Sequence, residues 1–179
     1  MLETRDLYLK EADTSFAPQL VDYYYRNREF LAPFDPKRED AFYTVESQTA
    51  ALETDIARRE NGTGYRFYIF EKQSGRLIGV IGLNNVIRGS FHSCHIGYKL
   101  DAGCINRGYM TQAVQAVVAY GFDELKLHRI EGSALPENVR SLRVMEKCGF
   151  AREGYSPKYL KINGVWRDHV HMVILNDNV

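Results

Sequence analysis

Three places in this 179-residue chain combine residue types that could do chemistry. The first is Ile105-Asn106-Arg107-Gly108-Tyr109-Met110-Thr111, which opens onto an apolar-periodic run through Val114, Val117, Val118, Gly121 and Leu125. The leading N–H groups of a helix have no partner within it, and the helix dipole adds positive potential there. Phosphates are the usual guests of such an end. Gly108 lets a bulky group approach bare backbone, and Arg107 can add a charge-assisted contact. The stretch therefore reads as a pyrophosphate cradle, or as a strand-to-helix turn that needs one glycine. It is not a Walker loop, since no Gly-Lys-Ser/Thr follows. It is not a Rossmann fingerprint, since one glycine stands at the helix mouth and the preceding strands look antiparallel.

The second place is Asn138 and Ser141, three apart at the head of a helical run, which form at least a cap for that helix. The third is the histidine and cysteine set. Cys94 and His95 are adjacent, so on a strand they point to opposite faces and form no dyad. Cys94, Cys104 and Cys148 are odd in number and lack any C-x-x-C pair. They read as packing residues, with no disulfide framework and no metal site expected.

The elements that must position these residues follow from periodicity. Residues 5–12 alternate as a first strand, and Asp13-Thr14 caps a helix with Phe16, Leu20 and Tyr23 or Tyr24 at helical spacing. Residues 31–40 form a loop with two prolines, and Thr44 opens a second helix that ends at Asn61-Gly62. Residues 65–72, 75–89 and 92–101 read as three antiparallel strands joined by tight turns. A strand at 128–135 follows the central helix, with a length that suits a right-handed parallel crossover from 92. A helix at 138–148 and a hairpin at 159–175 about Asn163-Gly164 complete the order βααβββαβαββ.

The totals fit one domain over 1–179 with its own core. Formal net charge is zero, so no global field draws the chain to nucleic acid or anionic membrane. The charged N-terminal stretch lacks an apolar signal core, and no apolar run reaches membrane-spanning length. A soluble cytoplasmic protein with reduced thiols is expected.

The element order, the glycine-bearing loop after the fourth strand and "ENVRSLRVMEKCGF" after the fifth resemble the GNAT superfamily of acetyl-CoA-dependent N-acetyltransferases. Ile105 stands where that family has Gln or Arg, and Met110 where it has a small residue. Both departures are familiar from the RimJ/RimL ribosomal-protein N-terminal acetyltransferases. "DYYYRNREFLAPFDP" (22–36), "NVIRGSFHSCHIGY" (85–98), "RGYMTQA" (107–113) and "EGYSPKYLKINGVWRDHV" (153–170) resemble RimJ segments.

The resemblance implies a mixed α+β fold: a mostly antiparallel seven-stranded sheet, flanked by helices and splayed between strands 4 and 5. It implies acetyl-CoA as co-substrate, held by residues 105–111 and Asn138, with no metal. It implies direct attack by the acceptor amine, with amides of Lys99 and Leu100 facing the thioester carbonyl. An α-amine of pKa about 8 is roughly one-tenth free at pH 7, whereas a lysine at about 10.4 is free at well below a thousandth. A protein N-terminus therefore needs only a weak base. His95 is the first candidate, with His92, Asp168 and His169 behind it, and local packing is the competing role for each. Many members place a tyrosine on the helix after the fifth strand to serve the departing thiolate. Met145 stands there in this chain, so Ser141 is the candidate donor to the coenzyme sulfur. Asn27, Arg28, Arg88, Ser90 and Phe91 are expected to line the acceptor groove. Trp166, Arg167 and Asp168 either border it or brace the sheet. The acceptor so implied is the N-terminal tail of a protein, such as a ribosomal protein. A small amine such as a polyamine or an antibiotic is the second reading, and a non-catalytic acetyl-CoA-binding module is the third. A homodimer is compatible with all three.

Overall fold

The computed structural model describes residues 1–179. Its eight strands form one sheet in the order β1-β2-β3-β4-β5-β6-β8-β7. The strands are β1 (Leu2–Glu3), β2 (Leu7–Glu11), β3 (Gly64–Glu71), β4 (Leu77–Ile87), β5 (Ser93–Leu100), β6 (Arg129–Ala134), β7 (Ala151–Ile162) and β8 (Val165–Leu175). The helices are α1 (Ala17–Arg26), α2 (Arg28–Leu31), α3 (Val45–Glu60), α4 (Tyr109–Asp123) and α5 (Val139–Lys147). The seven expected strands are β2 to β8, and β1 is a two-residue strand paired antiparallel to β2. All neighbours pair antiparallel except β5 and β6, which are parallel and joined through α4.

Each face of the sheet buries its own core. Phe67, Ile69, Ile81, Leu83, Cys94 and Ile96 pack against Val114, Val117 and Val118 of α4 and Met145 of α5. On the opposite face Tyr68, Phe70, Leu77 and Val80 pack against Leu20 and Tyr23 of α1 and Leu52 of α3. The period-two alternation of β3 sends Phe67 and Ile69 to one layer and Tyr68 and Phe70 to the other. Helix starts follow capping chemistry: the Thr44 hydroxyl accepts from the Ser47 N–H at 3.2 Å, and Asp13 accepts from the Ser15 N–H at 2.9 Å.

The terminal hairpin turns at Asn163-Gly164 as expected, but its first strand starts at Ala151, eight residues earlier than the sequence pattern indicates. The reason is its position. β7 is an edge strand, its register shifts between Arg152 and Gly154 and again between Ser156 and Leu160, and Pro157 falls in the second shift. Prolines and irregular patterns are tolerated at edges and bulges.

Candidate active site

The decisive feature lies where β5 meets β6. Their parallel register is limited to Ser93–Arg129, Cys94–Ile130 and His95–Glu131. Beyond His95 the strands part: β6 continues on β8, with Gly132 opposite Met172 and Ala134 opposite Val170. β5 continues on β4, with Tyr98 opposite Ile81 and Leu100 opposite Gly79. The side of β5 facing the gap is left without a strand.

Alternation decides which main-chain groups face that gap. The His92 carbonyl accepts from the Arg129 N–H on the β6 side, whereas the Asp101 N–H donates to the Ile78 carbonyl on the β4 side. Even-numbered residues of β5 thus direct their peptide groups to the gap and odd-numbered ones to β4. The unpaired amides belong to Tyr98 and Leu100, since the last parallel rung, His95–Glu131, engages the Ile96 N–H. Of the two amides expected to face the thioester, that of Leu100 is on the gap side, whereas that of Lys99 faces β4. The Lys99 side chain leaves the face of the sheet and pairs with Asp35, in the α2–α3 connection, at 2.5 Å. The other gap-facing amide at this end of β5 is that of Tyr98.

The gap runs toward the mouth of α4. Gly108 caps that helix in the left-handed region, at φ 75°, with no side-chain cap. A Cβ built on Gly108 meets nothing within 4 Å. The first amide of α4 bonded back to the preceding turn is that of Gln112, to Gly108, which leaves those of Tyr109, Met110 and Thr111 free for an anion. Met110 turns its side chain into the core, so only its backbone can serve. Ile105 is half-buried and Asn106 exposed, the latter also left-handed at φ 62°. Arg107 is more than half exposed and lies 3.5 Å from Glu71. Glu71 also accepts from the Tyr109 hydroxyl at 2.9 Å and from Ser74 at 2.6 Å. These bonds hold its carboxyl below the usual carboxylate range, with Ser74 the largest cause. Arg107 therefore already leans on a carboxylate.

At the head of α5, Asn138 accepts from the Ser141 N–H at 3.2 Å, so the expected cap is formed by Asn138. The Ser141 hydroxyl goes elsewhere, 2.9 Å from the hydroxyl of Tyr98. Met145 is buried beneath Gly132, where an added Cβ would stand 2.5 Å from its sulfur. That packing accounts for the absence of a tyrosine there.

His95 and Glu131 lie side by side across the last parallel rung, His95 Nε2 standing 3.8 Å from the carboxylate, and His95 Nδ1 has no partner. The alternatives are committed elsewhere. His92 lies 3.3 Å from the Lys126 carbonyl, and Asp168 accepts from the Lys158 N–H at 2.8 Å and from the Tyr155 hydroxyl. His169 is buried, 3.2 Å from the Arg167 carbonyl. The cysteines match their packing role: burial pushes Cys94 up to about 12 and Cys148 up to about 11.

The five expected acceptor residues are not gathered in one groove. Asn27 is 1 % exposed, donates to Tyr23 and Asp101, and accepts from the Ala102 N–H at 2.9 Å. It is a strut between the end of α1 and the turn into α4, and its amide is not free for an acceptor. Arg28 is exposed and stacks on Tyr25. Arg88, Ser90 and Phe91 lie in the β4–β5 turn, at the closed end of the gap, where Arg88 donates to the Leu125 carbonyl. At about 3.3 Å per residue the length of β5 separates the two groups by roughly 23 Å. A shallow cavity of ≈ 380 Å³ that the sequence pattern did not flag lies beside Asn138 in sequence, lined by Phe34, Leu135, Ile162, Val165, Glu137 and Arg167 among others.

A helix mouth with free amides beside a parted sheet edge suits an extended, phosphate-bearing ligand. The chain belongs to the GNAT acetyltransferase family: the acetyltransferase (GNAT) domain model matches residues 6–151, and the molecule is accordingly an N-acetyltransferase by class. It is 42 % identical over 176 residues to a probable N-acetyltransferase of Bacillus subtilis, covering 98 % of this chain and 97 % of that one. The crystal structure of ribosomal-protein-S5-alanine acetyltransferase from Vibrio fischeri superposes with a TM-score of 0.94 at 34 % identity, covering 98 % of this chain and 96 % of that one. Mycobacterium smegmatis RimJ, solved in complex with CoA-disulfide, superposes at 0.90 with 26 % identity over 97 % of this chain and 83 % of that one. No helix is long and apolar enough to cross a membrane.

Proposed function

We propose that this chain transfers the acetyl group of acetyl-CoA to the N-terminal α-amine of a protein, by direct attack with both substrates bound. The observation that carries the reading is the set of unpaired amides at the α4 mouth together with those of Tyr98 and Leu100 on the parted edge of β5. The residues present fit the coenzyme. Amides of Tyr109, Met110 and Thr111 would hold the pyrophosphate, and the free edge of β5 would bond the pantetheine arm. The Asn138 side-chain N–H, which has no partner, would bond the same arm. Acetyl-CoA supplies the activated acyl group. The Tyr98 amide lies where a thioester carbonyl threaded beside β5 would take up negative charge. Receipt of the acceptor's proton is assigned to His95, whose Nε2 stands 3.8 Å from the Glu131 carboxylate.

The cavity between Phe34, Leu135, Ile162 and Val165 favours a protein end over a polyamine. Its lining holds one carboxylate, Glu137, and that is already paired with Arg167. A polycation needs several unpaired carboxylates, whereas a small apolar first residue needs only the apolar walls. The similarity to the Vibrio fischeri enzyme, named for ribosomal protein S5, supports a ribosomal acceptor. The test is thiol release from acetyl-CoA with peptides beginning Ala or Ser against free spermidine, followed by intact-mass measurement of ribosomal proteins from cells with and without the gene. Peptide-dependent release and a 42-dalton loss on one ribosomal protein are expected. Release with spermidine alone overturns the acceptor assignment.

A further inference from the structure

We propose that Tyr98 is a positioning residue for departure of the coenzyme thiolate, acting through Ser141. The proposal rests on the coenzyme reading above. It begins with an unexplained pairing: two hydroxyls from different elements, β5 and α5, meet at 2.9 Å next to the parted sheet. Ser141 is half-buried at the first turn of α5, and Asn138 does the capping, so the serine hydroxyl is spared that duty. Tyr98 is its single side-chain partner.

A phenol carries one proton. The Tyr98 hydroxyl lies 3.1 Å from the Ser141 carbonyl, to which it can donate, and 2.9 Å from the serine hydroxyl, and its proton is assigned to the shorter contact. Donation by Tyr98 to the serine oxygen leaves the serine hydrogen without a protein acceptor and able to point into the gap. Tyr98 keeps its proton throughout the neutral range, because burial pushes the phenol up to about 12 while the bond to Ser141 pulls it back. A tyrosine reaching the sulfur directly from α5 is sterically replaced by Met145 under Gly132. The tyrosine of this molecule arrives from β5 and acts one hydroxyl removed.

In the transfer the acceptor nitrogen forms the new C–N bond with its lone pair, and the C–S bond breaks with its pair going to sulfur. The spare proton of the nitrogen passes to His95 or to water. Ser141 donates its hydrogen bond to the sulfur as charge builds there, and Tyr98 fixes the direction of that donor and increases its polarity. No net proton leaves Tyr98.

The test compares coenzyme binding and turnover in Tyr98→Phe, which keeps the ring, in Ser141→Ala, and in the double variant. Calorimetry at pH 8 measures affinity for CoA and for desulfo-CoA. Wild type is expected to prefer CoA by about tenfold, and Tyr98→Phe and Ser141→Ala to bind the two alike, with desulfo-CoA affinity unchanged. In turnover, kcat of Tyr98→Phe is expected to fall about tenfold with KM for acetyl-CoA unchanged, and the double variant to be no slower than Ser141→Ala. Retained CoA preference in Tyr98→Phe, equal loss of both ligands, or multiplicative losses in the double variant overturns the proposal. Should Tyr98→Phe not fold, the CoA preference of Ser141→Ala decides: a preserved preference overturns it. Failure of wild type to bind either coenzyme overturns the coenzyme reading itself, a distinct result.

Discussion

Gly108 and Asn27 show how differently two polar-site positions read at the scale of one residue. Gly108 stands at φ 75°, a region that costs an L-residue roughly 1–2 kcal/mol. Gly108→Val is expected to lower the melting temperature by a few degrees and weaken acetyl-CoA binding by at least about tenfold in calorimetry. The glycine was legible because its type announces its backbone. Asn27 was legible as polar and close to the site, yet nothing in its neighbours reveals that its partners are Asp101 and Ala102, some 75 positions on. Losing those buried bonds, Asn27→Ala is expected to cost about 2–3 kcal/mol in urea unfolding. A fall in acceptor affinity at unchanged stability would instead restore its substrate role. The same limit separates Lys99 from Tyr98. Sequence places both on the strand, but the peptide groups of β5 are assigned to their sides by the bonds of His92 and Asp101.

At the scale of elements, the strand–helix–strand unit was readable in full because crossover length and helical period both announce it. The parting of β5 from β6 has no sequence signature of its own. Both strands keep ordinary alternation, and only the spatial register ends at His95–Glu131. β7 was half-read for the opposite reason: its edge position removes the need for a regular pattern. The parted edge makes a direct prediction for hydrogen exchange. Amides of Tyr98 and Leu100 are expected to exchange much faster than those of Gly97 and Lys99, which face β4, and to slow by at least about tenfold when acetyl-CoA is added. Equal protection of odd and even residues without coenzyme would show that the edge is closed.

For the molecule as a whole, the two cores are tied by polar struts at the open end. Asp101 gathers Arg26, Asn27 and the Gly103 N–H and so fixes α1 to the turn that leads to α4. Burial alone would raise its carboxyl, but the Gly103 N–H, Arg26 and Asn27 outweigh it and hold the group below its usual 3.8. A depressed folded value means this contribution is whole above the unfolded value of about 3.9 and vanishes as pH falls through the folded one. Wild type is thus expected to lose melting temperature steeply below about pH 4. Asp101→Asn should melt lower at pH 7 and decline less on acidification. Parallel acid limbs for the two proteins in thermal melts at pH 7 and pH 3 would remove Asp101 from this role.

The gap in the sheet also bears on how the protein behaves in a tube. A slot of unsatisfied peptide groups does not discriminate by itself between a pantetheine arm and any other extended chain. Concentrated ligand-free molecules are therefore expected to catch stray tails or one another there, and a stoichiometric measure of CoA in the storage buffer should keep preparations monodisperse.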